Sequence, residues 1–432
     1  MLPNLTKLQF SSAFAGSLHL CQLEERFLEH QINIETWFRE QWLKTPPPFY
    51  TSIDLRNSGF KLAPVDTNLF PAGFNNLNSH YMPLYIQAVQ ATIAEICPDV
   101  TRLLIIPENH SRNTYYFESL AMLLEIFKNA GFEVRIGSLS SSLTDFQIQL
   151  PSGRKLKIEP LERKVDQVGV RDFFPFCVIL NNDLSGHIPD IFQNLNQQII
   201  PALQFGWANR LKSRHFTAYG TVSEQFASLI NIDPWLISTL FNQCSEVNFL
   251  EKEGKEYLVN CVEIMLQAVK KKYTQYNITK KPFLVIKADA GTYGMGVMMI
   301  QDPEALYHLN RKQRMQMSIS KGGIPVTKAI VQEGVYSFET AGEENAVAEP
   351  VVYLFGRHVI GGFYRIHKSR GPNENLNTPG MNFIPMVFDI PCKAPFEINE
   401  SVNCFYVYGV IARLAALAAT RELALSNIKS KL

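Results

Sequence analysis

The segment Phe283-Leu284-Val285-Ile286-Lys287-Ala288-Asp289-Ala290-Gly291-Thr292-Tyr293-Gly294-Met295-Gly296 begins as an apolar strand, reaches a lysine and then loosens into glycine. Glycines let backbone amides approach a polyphosphate, and a lysine supplies a point charge. The continuation of the chain separates the loop types. A P-loop needs GxxxxGK followed by Ser or Thr, and that string is absent. A dinucleotide-binding loop opens a helix. Here Val297-Met298-Met299-Ile300 reads as a returning strand, stopped by Gln301-Asp302-Pro303. The expected element is a strand–loop–strand hairpin with a cation on its first strand. On this stretch alone two readings stay open, a hairpin that grips a nucleotide and an ordinary hairpin with a loose loop.

Downstream, Ala329–Val335 is expected to be another strand, ending in Gln332-Glu333-Gly334-Val335. The hairpin resembles that of ATP-grasp proteins. In those, the hinge between two lobes offers its backbone to the adenine edge, which the resemblance places at Glu333 and Val335 beside Gln332. Val351–Phe355 and Val359–Arg365 read as a second hairpin. Arg365-Ile366 and, ten residues after the arginine, Asn375-Leu376 resemble a stretch of bacterial glutathione synthetases. A cation at Arg365 suits a γ-phosphate, and the loop at Asn375 suits an acyl phosphate. Asp389, Glu397 and Asn399 resemble the acidic residue and Glu-x-Asn pair that hold magnesium in such sites. Hard oxygen ligands suit that ion, and manganese could replace it. Glu397 and Asn399, two apart, would share one face of a strand. Two departures from glutathione synthetases stand out: the region Glu343–Glu349 is acidic where they carry a basic pair, and Asp389 follows Gly380 by nine residues, too few for the helix they place there.

Upstream, residues 52–205 alternate between strand and helix. Arg102–Ile106, Phe132–Ile136 and Phe176–Leu180 are short apolar runs, and Tyr115–Asn129 has helical spacing closed by Gly131. This order implies a parallel sheet, whose ligands sit beyond the carboxyl ends of its strands. Glu108–Asn113 and Asn181-Asn182-Asp183 fall at such ends. The charged and apolar residues of Leu23–Leu43, ended by Pro46-Pro47-Pro48, suggest an appended helical arm. Residues 222–275 look mainly helical, and Val407–Ala419 reads as a buried helix. The basic–aromatic cluster Trp207–Lys212 has the chemistry to face phosphate, but a solvated turn is the favoured reading.

The whole is expected to be an α/β (α+β multidomain) chain. Its parts are an arm at 1–50, a parallel α/β substrate domain at 51–205, a helical linking part at 206–281 and a nucleotide-binding region at 282–432. Hydrophobic residues make up 46% and charged residues 19% of 432, enough for more than one core. A net charge of +1 gives no field to draw nucleic acid or an anionic membrane. Seven scattered cysteines without a CxxC argue against zinc or a disulfide framework and for a cytoplasmic setting. No signal peptide or membrane span is read.

Four blocks together resemble the proteobacterial glutamate–cysteine ligase family built on ATP-grasp: Asp54–Leu77, Pro107–Tyr116, Lys287–Gly296 and Asn375–Met381. The resemblance implies a two-lobed ATP-grasp domain and the ATP-dependent joining of L-glutamate to L-cysteine. Lys287, Gly291, Gly294 and Gly296 would hold phosphates, with the loop as a lid. A glutamate ligand needs a cation for its carboxylate and acceptors for its ammonium. Arg56, Asp66, Asn68, Asn75, Arg112 and Asn113 have that chemistry, though Asn and Asp also organise turns. Homo-oligomers are compatible with the sequence. Rival readings are another γ-glutamyl or amino-acid ligase, and a non-catalytic nucleotide-binding regulator.

Overall fold

The computed structural model describes residues 17–429 except 110–112, 141–145, 246, 250–252, 292–295, 320–324, 343–344 and 389–404. Helices α1 (Ser17–Glu29) and α2 (Gln31–Lys44) lead into β1 (Tyr50–Asn57) and β2 (Leu62–Asn68). Next come α3 (Met82–Ile96), β3 (Arg102–Pro107), α4 (Thr114–Asn129), β4 (Glu133–Ser138), β5 (Phe146–Gln149) and β6 (Lys155–Pro160). A small hairpin, β7 (Glu162–Lys164) and β8 (Gln167–Gly169), precedes β9 (Cys177–Asn181) and β10 (Gln198–Ile200). The middle of the chain forms α5 (Lys212–Ile230), β11 (Phe241–Ser245), α6 (Glu253–Gln275), β12 (Leu284–Ala288), β13 (Val297–Ile300), α7 (Arg311–Ser318) and β14 (Lys328–Glu333). The chain closes with β15 (Thr340–Ala341), β16 (Ala346–Phe355), β17 (His358–His367), β18 (Asn382–Pro385) and α8 (Phe405–Lys429).

Three sheets organise these elements. The large sheet runs β18-β17-β16-β1-β2, with β15 on β16. The second runs β10-β9-β3-β4-β6-β5, with β3 parallel to β4 and β9 and only β5 antiparallel to its neighbour. The third, smaller sheet runs β11-β14-β12-β13. The expected strands at 102–106, 132–136 and 176–180 are β3, β4 and β9; α4 crosses from β3 to its parallel neighbour β4, while β5 to β8 fill the return to β9, which is parallel to β3 on its other side. Helices α3 and α4 fill the space between the second sheet and the large one: Leu103, Ile105 and Ile136 share a core with Tyr353, Phe355 and Phe363.

The opposite face of the large sheet carries α8, α5, α1 and α2. Val407–Ala418 of α8 is apolar nearly all round and buried, as a helix must be when neighbours surround it. The N-terminal helices, expected as an arm, bury Leu23, Phe27, Ile34, Phe38 and Trp42 in this same core. Phe27 and Phe38 meet Phe226 of α5 at ring separations of 5.4 and 6.3 Å, and Arg413 of α8 grips Glu35 of α2 at 2.7 Å.

Two expectations are redrawn. Residues 51–205 contribute strands to two sheets, because β1 pairs with β16 (Ile53↔Val352) while β3 to β10 form the parallel sheet. The stretch 222–275 is interrupted by β11, which is extended because it pairs with β14 (Gln243↔Ile330). Phe241-Asn242-Gln243-Cys244-Ser245 has no β-branched residue, and pairing here overrides local preference. Among the described residues no helix is long and apolar enough to cross a membrane.

Candidate active site

The large and small sheets face each other across a cleft of about 740 Å³, counting solvent at its mouth. Its floor is a row of charges on adjacent strands. Asp54 and Arg56, two apart on β1, point the same way. Asp66 of β2 stands opposite Asp54, and Glu349 of β16 stands opposite Arg365 of β17. Arg365 reaches Asp54 at 3.0 Å and Glu349 at 3.7 Å, while its Nε is buried with no partner among the described residues. Arg56 pairs with Glu349, and also donates to the carbonyls of Val335 at 2.9 Å and Glu374 at 2.5 Å. Its guanidinium therefore ties β1 to the turn after β14 and to the loop before Asn375.

The roof is the hairpin β12–β13 with β14. Val285 and Lys287 on β12, and Val297 and Met299 on β13, present an apolar slot with one ammonium at its inner end. Lys287 Nζ donates to the Val65 carbonyl at 2.7 Å and to Gln332 Oε1 at 2.8 Å. Burial draws its pKa down to about 8, with Asp66 acting the other way. Gln332 is itself held by donating to Thr239 at 2.8 Å. The loop after β12 leaves the strand at Gly291 and rejoins β13 at Gly296, with φ of +105° and +64° that a side chain would strain.

Glu333 lines the cleft but spends its carboxylate behind it. Lys61 donates to it at 2.7 Å, Trp235 Nε1 at 3.1 Å and the Leu240 amide at 3.0 Å. Burial lowers the pKa of Lys61 to about 8 against the pull of Glu333. Such a pair is costly to break from one side, because the remaining charge is stranded. Only the backbone at this turn is left to meet a ligand edge.

The third wall corrects the reading of Trp207–Lys212 as a solvated turn. Arg210 and Lys212 are buried, and both stack over the Trp207 ring, with Lys212 Nζ 4.2 Å from its centre. Lys212 lines the cleft and meets Asp66 at 3.1 Å. Burial would raise the pKa of Asp66, yet Lys212, Lys287 and Arg210 outweigh it and leave the group at about 2. Arg210 donates to Glu422 of α8, which also meets His215 Nδ1 at 2.9 Å. The stretch is buried because tryptophan and Glu422 cover it, and Glu422 lies about 210 residues further along the chain. Lys212, with Asp54 and Glu349, is a charged cleft residue that motif reading did not assign to the site. Its signal was a basic–aromatic cluster followed by a helix.

At the carboxyl ends of β3 and β9 the expected polar clusters also assemble. Tyr116 donates to Asn181 at 2.9 Å and accepts the Glu108 amide at 2.8 Å, and Glu108 Oε1 accepts the Asp183 amide at 2.9 Å. Asn181 donates to the Pro71 carbonyl at 2.9 Å, and Tyr50 donates to the Leu180 carbonyl. Glu108, Asn181, Asn182 and Asp183 are all buried.

The structure brings Arg56, Asp66, Lys287, Gly291, Gln332, Glu333, Val335, Arg365 and Asn375 to one cleft. It does not bring Asn68, Asn75 or Asn113 there. Asn68 closes a turn onto the Phe70 amide at 3.0 Å, and Asn113 caps α4 through the Tyr116 amide at 3.1 Å. Asn75 bonds its neighbour Asn76. The bonds of Asn68 and Asn113 are the turn and cap roles that asparagine favours. Asn375 makes a similar turn onto the Asn377 amide at 2.9 Å but stays at the cleft. Arg112, Gly294, Asp389, Glu397 and Asn399 lie outside the described residues. Among the described residues there is no cluster of three acidic, histidine or cysteine side chains placed to hold a metal ion.

A family model described as glutamate-cysteine ligase matches residues 24–423. A crystal structure from Methylobacillus flagellatus KT, of a protein provisionally named a gamma-glutamylcysteine synthetase, is 48% identical with a TM-score of 0.89, covering 97% of this chain and 99% of that one. A glutathione synthetase like-effector of Globodera pallida, GSS30, is 9% identical with a TM-score of 0.37 over 85% of this chain and 81% of that one, a likeness that carries no argument. No curated protein matches the chain.

Proposed function

The chain belongs to the glutamate–cysteine ligase family, and from that footing we propose that the cleft between the large and small sheets is where ATP drives the joining of L-glutamate to L-cysteine. The ligase makes an amide between the γ-carboxylate of glutamate and the amine of cysteine, a step of the glutathione pathway. A carboxylate is a poor electrophile, so it has to be activated. In the proposed route a γ-carboxylate oxygen of glutamate attacks the γ-phosphorus of ATP and ADP leaves. The cysteine amine then attacks the acyl carbon of the resulting acyl phosphate, loses a proton and expels phosphate.

The observation that carries this reading is the convergence of Lys287, Lys212 and Arg365, from three separate elements, at the end of a slot walled by Val285, Val297 and Met299. An apolar slot leading to clustered cations suits a purine with a polyphosphate. In this reading Lys287 and Lys212 hold the phosphates and Arg365 meets the transferring phosphoryl group with its buried Nε, which has no partner among the described residues. The backbone at Glu333 and Val335 meets the adenine edge. Asn375 faces the acyl phosphate, and Gly291 and Gly296 let backbone come close to the phosphates. The catalytic work is positioning and charge neutralisation.

Asp54, Asp66 and Glu349 are the carboxylates available to a substrate ammonium, each now held by a cation of the cleft. Arg56 acts as a brace whose bond to Val335 links the floor to the hinge. We extend the proposal to an ATP-grasp arrangement, with β11–β14 and α6 as one lobe and the large sheet as the other, and to a cytoplasmic setting. Magnesium on the triphosphate would neutralise its oxygens, and the sequence assigns it to Asp389, Glu397 and Asn399. The carboxylates of the described cleft already face cations and do not form such a set.

The route is tested by labelling the γ-carboxylate of glutamate with ¹⁸O and analysing the phosphate released in the presence of ATP and cysteine. One labelled oxygen per phosphate, with ADP as the nucleotide product, is expected. Unlabelled phosphate, or AMP with pyrophosphate, would overturn it.

A further inference from the structure

One buried carboxylate joins the glycine-rich turn to the start of α5. Asp289 is fully buried and lies two residues beyond Lys287. Its Oδ1 accepts the Ser213 amide at 2.8 Å, and its Oδ2 accepts the Ser213 hydroxyl at 2.8 Å and Gln243 Nε2 at 2.9 Å. Its carbonyl accepts the Lys212 amide at 2.7 Å, and its own amide donates to Lys328 of β14 at 3.0 Å. One residue thus ties together β12, β14, β11 and α5.

The arrangement reflects what α5 lacks. A helix begins with amides that have no partner inside it. The residue before α5 is Leu211, which makes no side-chain cap. Asp289 supplies the cap from another element, satisfying the first two amides of the helix. Among the described residues the side-chain donors to its carboxylate are a neutral hydroxyl and a neutral amide, and the positive end of α5 faces its charge. Lys212 is the first residue of that helix and Lys287 is on the strand just before Asp289, so the geometry of this one junction sets where both ammonium groups stand.

We infer that Asp289 is a positioning residue that fixes Lys212 relative to Lys287, so that both face one triphosphate. The inference rests on the nucleotide reading given above. An alanine at 289 frees the start of α5 from the hairpin. An asparagine keeps the Ser213 amide bond but turns an NH₂ group toward the Gln243 amide, a donor against a donor.

The test is calorimetric binding of a non-hydrolysable ATP analogue with magnesium to the full-length enzyme, compared with the KM for glutamate. Asp289→Ala should weaken nucleotide binding by about tenfold or more, and Asp289→Asn and Ser213→Ala by about threefold, as expected for losing charged and neutral hydrogen bonds. The KM for glutamate should stay within about twofold. If Lys287→Ala weakens the nucleotide while Asp289→Ala binds it like the wild type, the positioning role is wrong and the nucleotide site stands. If Lys287→Ala binds it unchanged, the nucleotide reading itself fails. Equal losses for nucleotide and glutamate in Asp289→Ala would reduce Asp289 to a structural residue. Should that variant not fold, wild-type affinity in both Asp289→Asn and Ser213→Ala overturns the inference.

Discussion

The cleft around Lys287 and the strand ends around Asn181 are built from the same kinds of residue, yet they do opposite things with them. At the strand ends of β3 and β9, Glu108, Tyr116, Asn181 and Asp183 spend their polar atoms on one another and on backbone. In the cleft Lys212, Arg56 and Arg365 meet carboxylates, Arg365 Nε has no partner among the described residues, and about 740 Å³ of space adjoins them. A buried polar network that closes on itself stabilises a junction, here between the parallel sheet and β1. One that stays open on one side is ready for a ligand. Rules about ligands at the carboxyl ends of parallel strands point to the first cluster, and bond accounting points to the second.

The contrast is open to direct attack. The largest expected effect is on Lys287→Ala, which should lower kcat/KM for ATP by about 10²–10³ through loss of a charge facing the phosphates. Steady-state kinetics on a variant with unchanged circular dichroism would show it. Asn181→Ala should do the reverse: denaturant titration should record a loss of about 1–3 kcal/mol, the cost of unpaired buried groups. Its KM values for ATP and glutamate should stay within about twofold. A large rise in either KM with stability intact would make the strand ends a substrate site after all.

A smaller effect concerns pH. Burial lowers the pKa of Lys287 to about 8, so in the free enzyme the ammonium is present below that value and lost above it. A bound polyanion favours the charged form, so binding above pH 8 must take up a proton. The KM for ATP should therefore rise by roughly tenfold for each pH unit well above 8, while kcat at saturating ATP stays flat. Lys287→Arg should remove this limb, because guanidinium remains charged. A pH-independent KM in the wild type would separate Lys287 from the phosphates.

How much of this was legible in the sequence depends on how local each feature is. The hairpin β12–β13, the return strand Val297–Ile300 and the helix Val407–Ala419 arise from short-range pattern, and the structure has them. Most cleft residues named from motifs do converge, because two-residue alternation places Asp54 with Arg56 and Val285 with Lys287. What could not be read is long-range. Nothing near Tyr50–Asn57 says that its partner is β16, about 300 residues away. The pairing of β11 with β14 has no local signature, and the burial of Arg210 depends on Glu422. The motif places Glu333 at the cleft, but that its carboxylate serves Lys61 and Trp235 is a tertiary fact. Asparagines 68 and 113 show why motif chemistry is ambiguous: a side chain that can recognise an amino acid also closes turns and caps helices, as these two do.

The central claim is that the charged cleft, and not the strand-end network, holds the nucleotide. A crystal structure of the enzyme with a non-hydrolysable ATP analogue, magnesium and glutamate tests this most directly. The triphosphate should lie between Lys287 and Lys212, the purine against Val285, Val297 and Met299, and the purine edge at residues 333–335. A nucleotide seated beside Glu108 and Asp183, or anywhere away from Lys287, would contradict it.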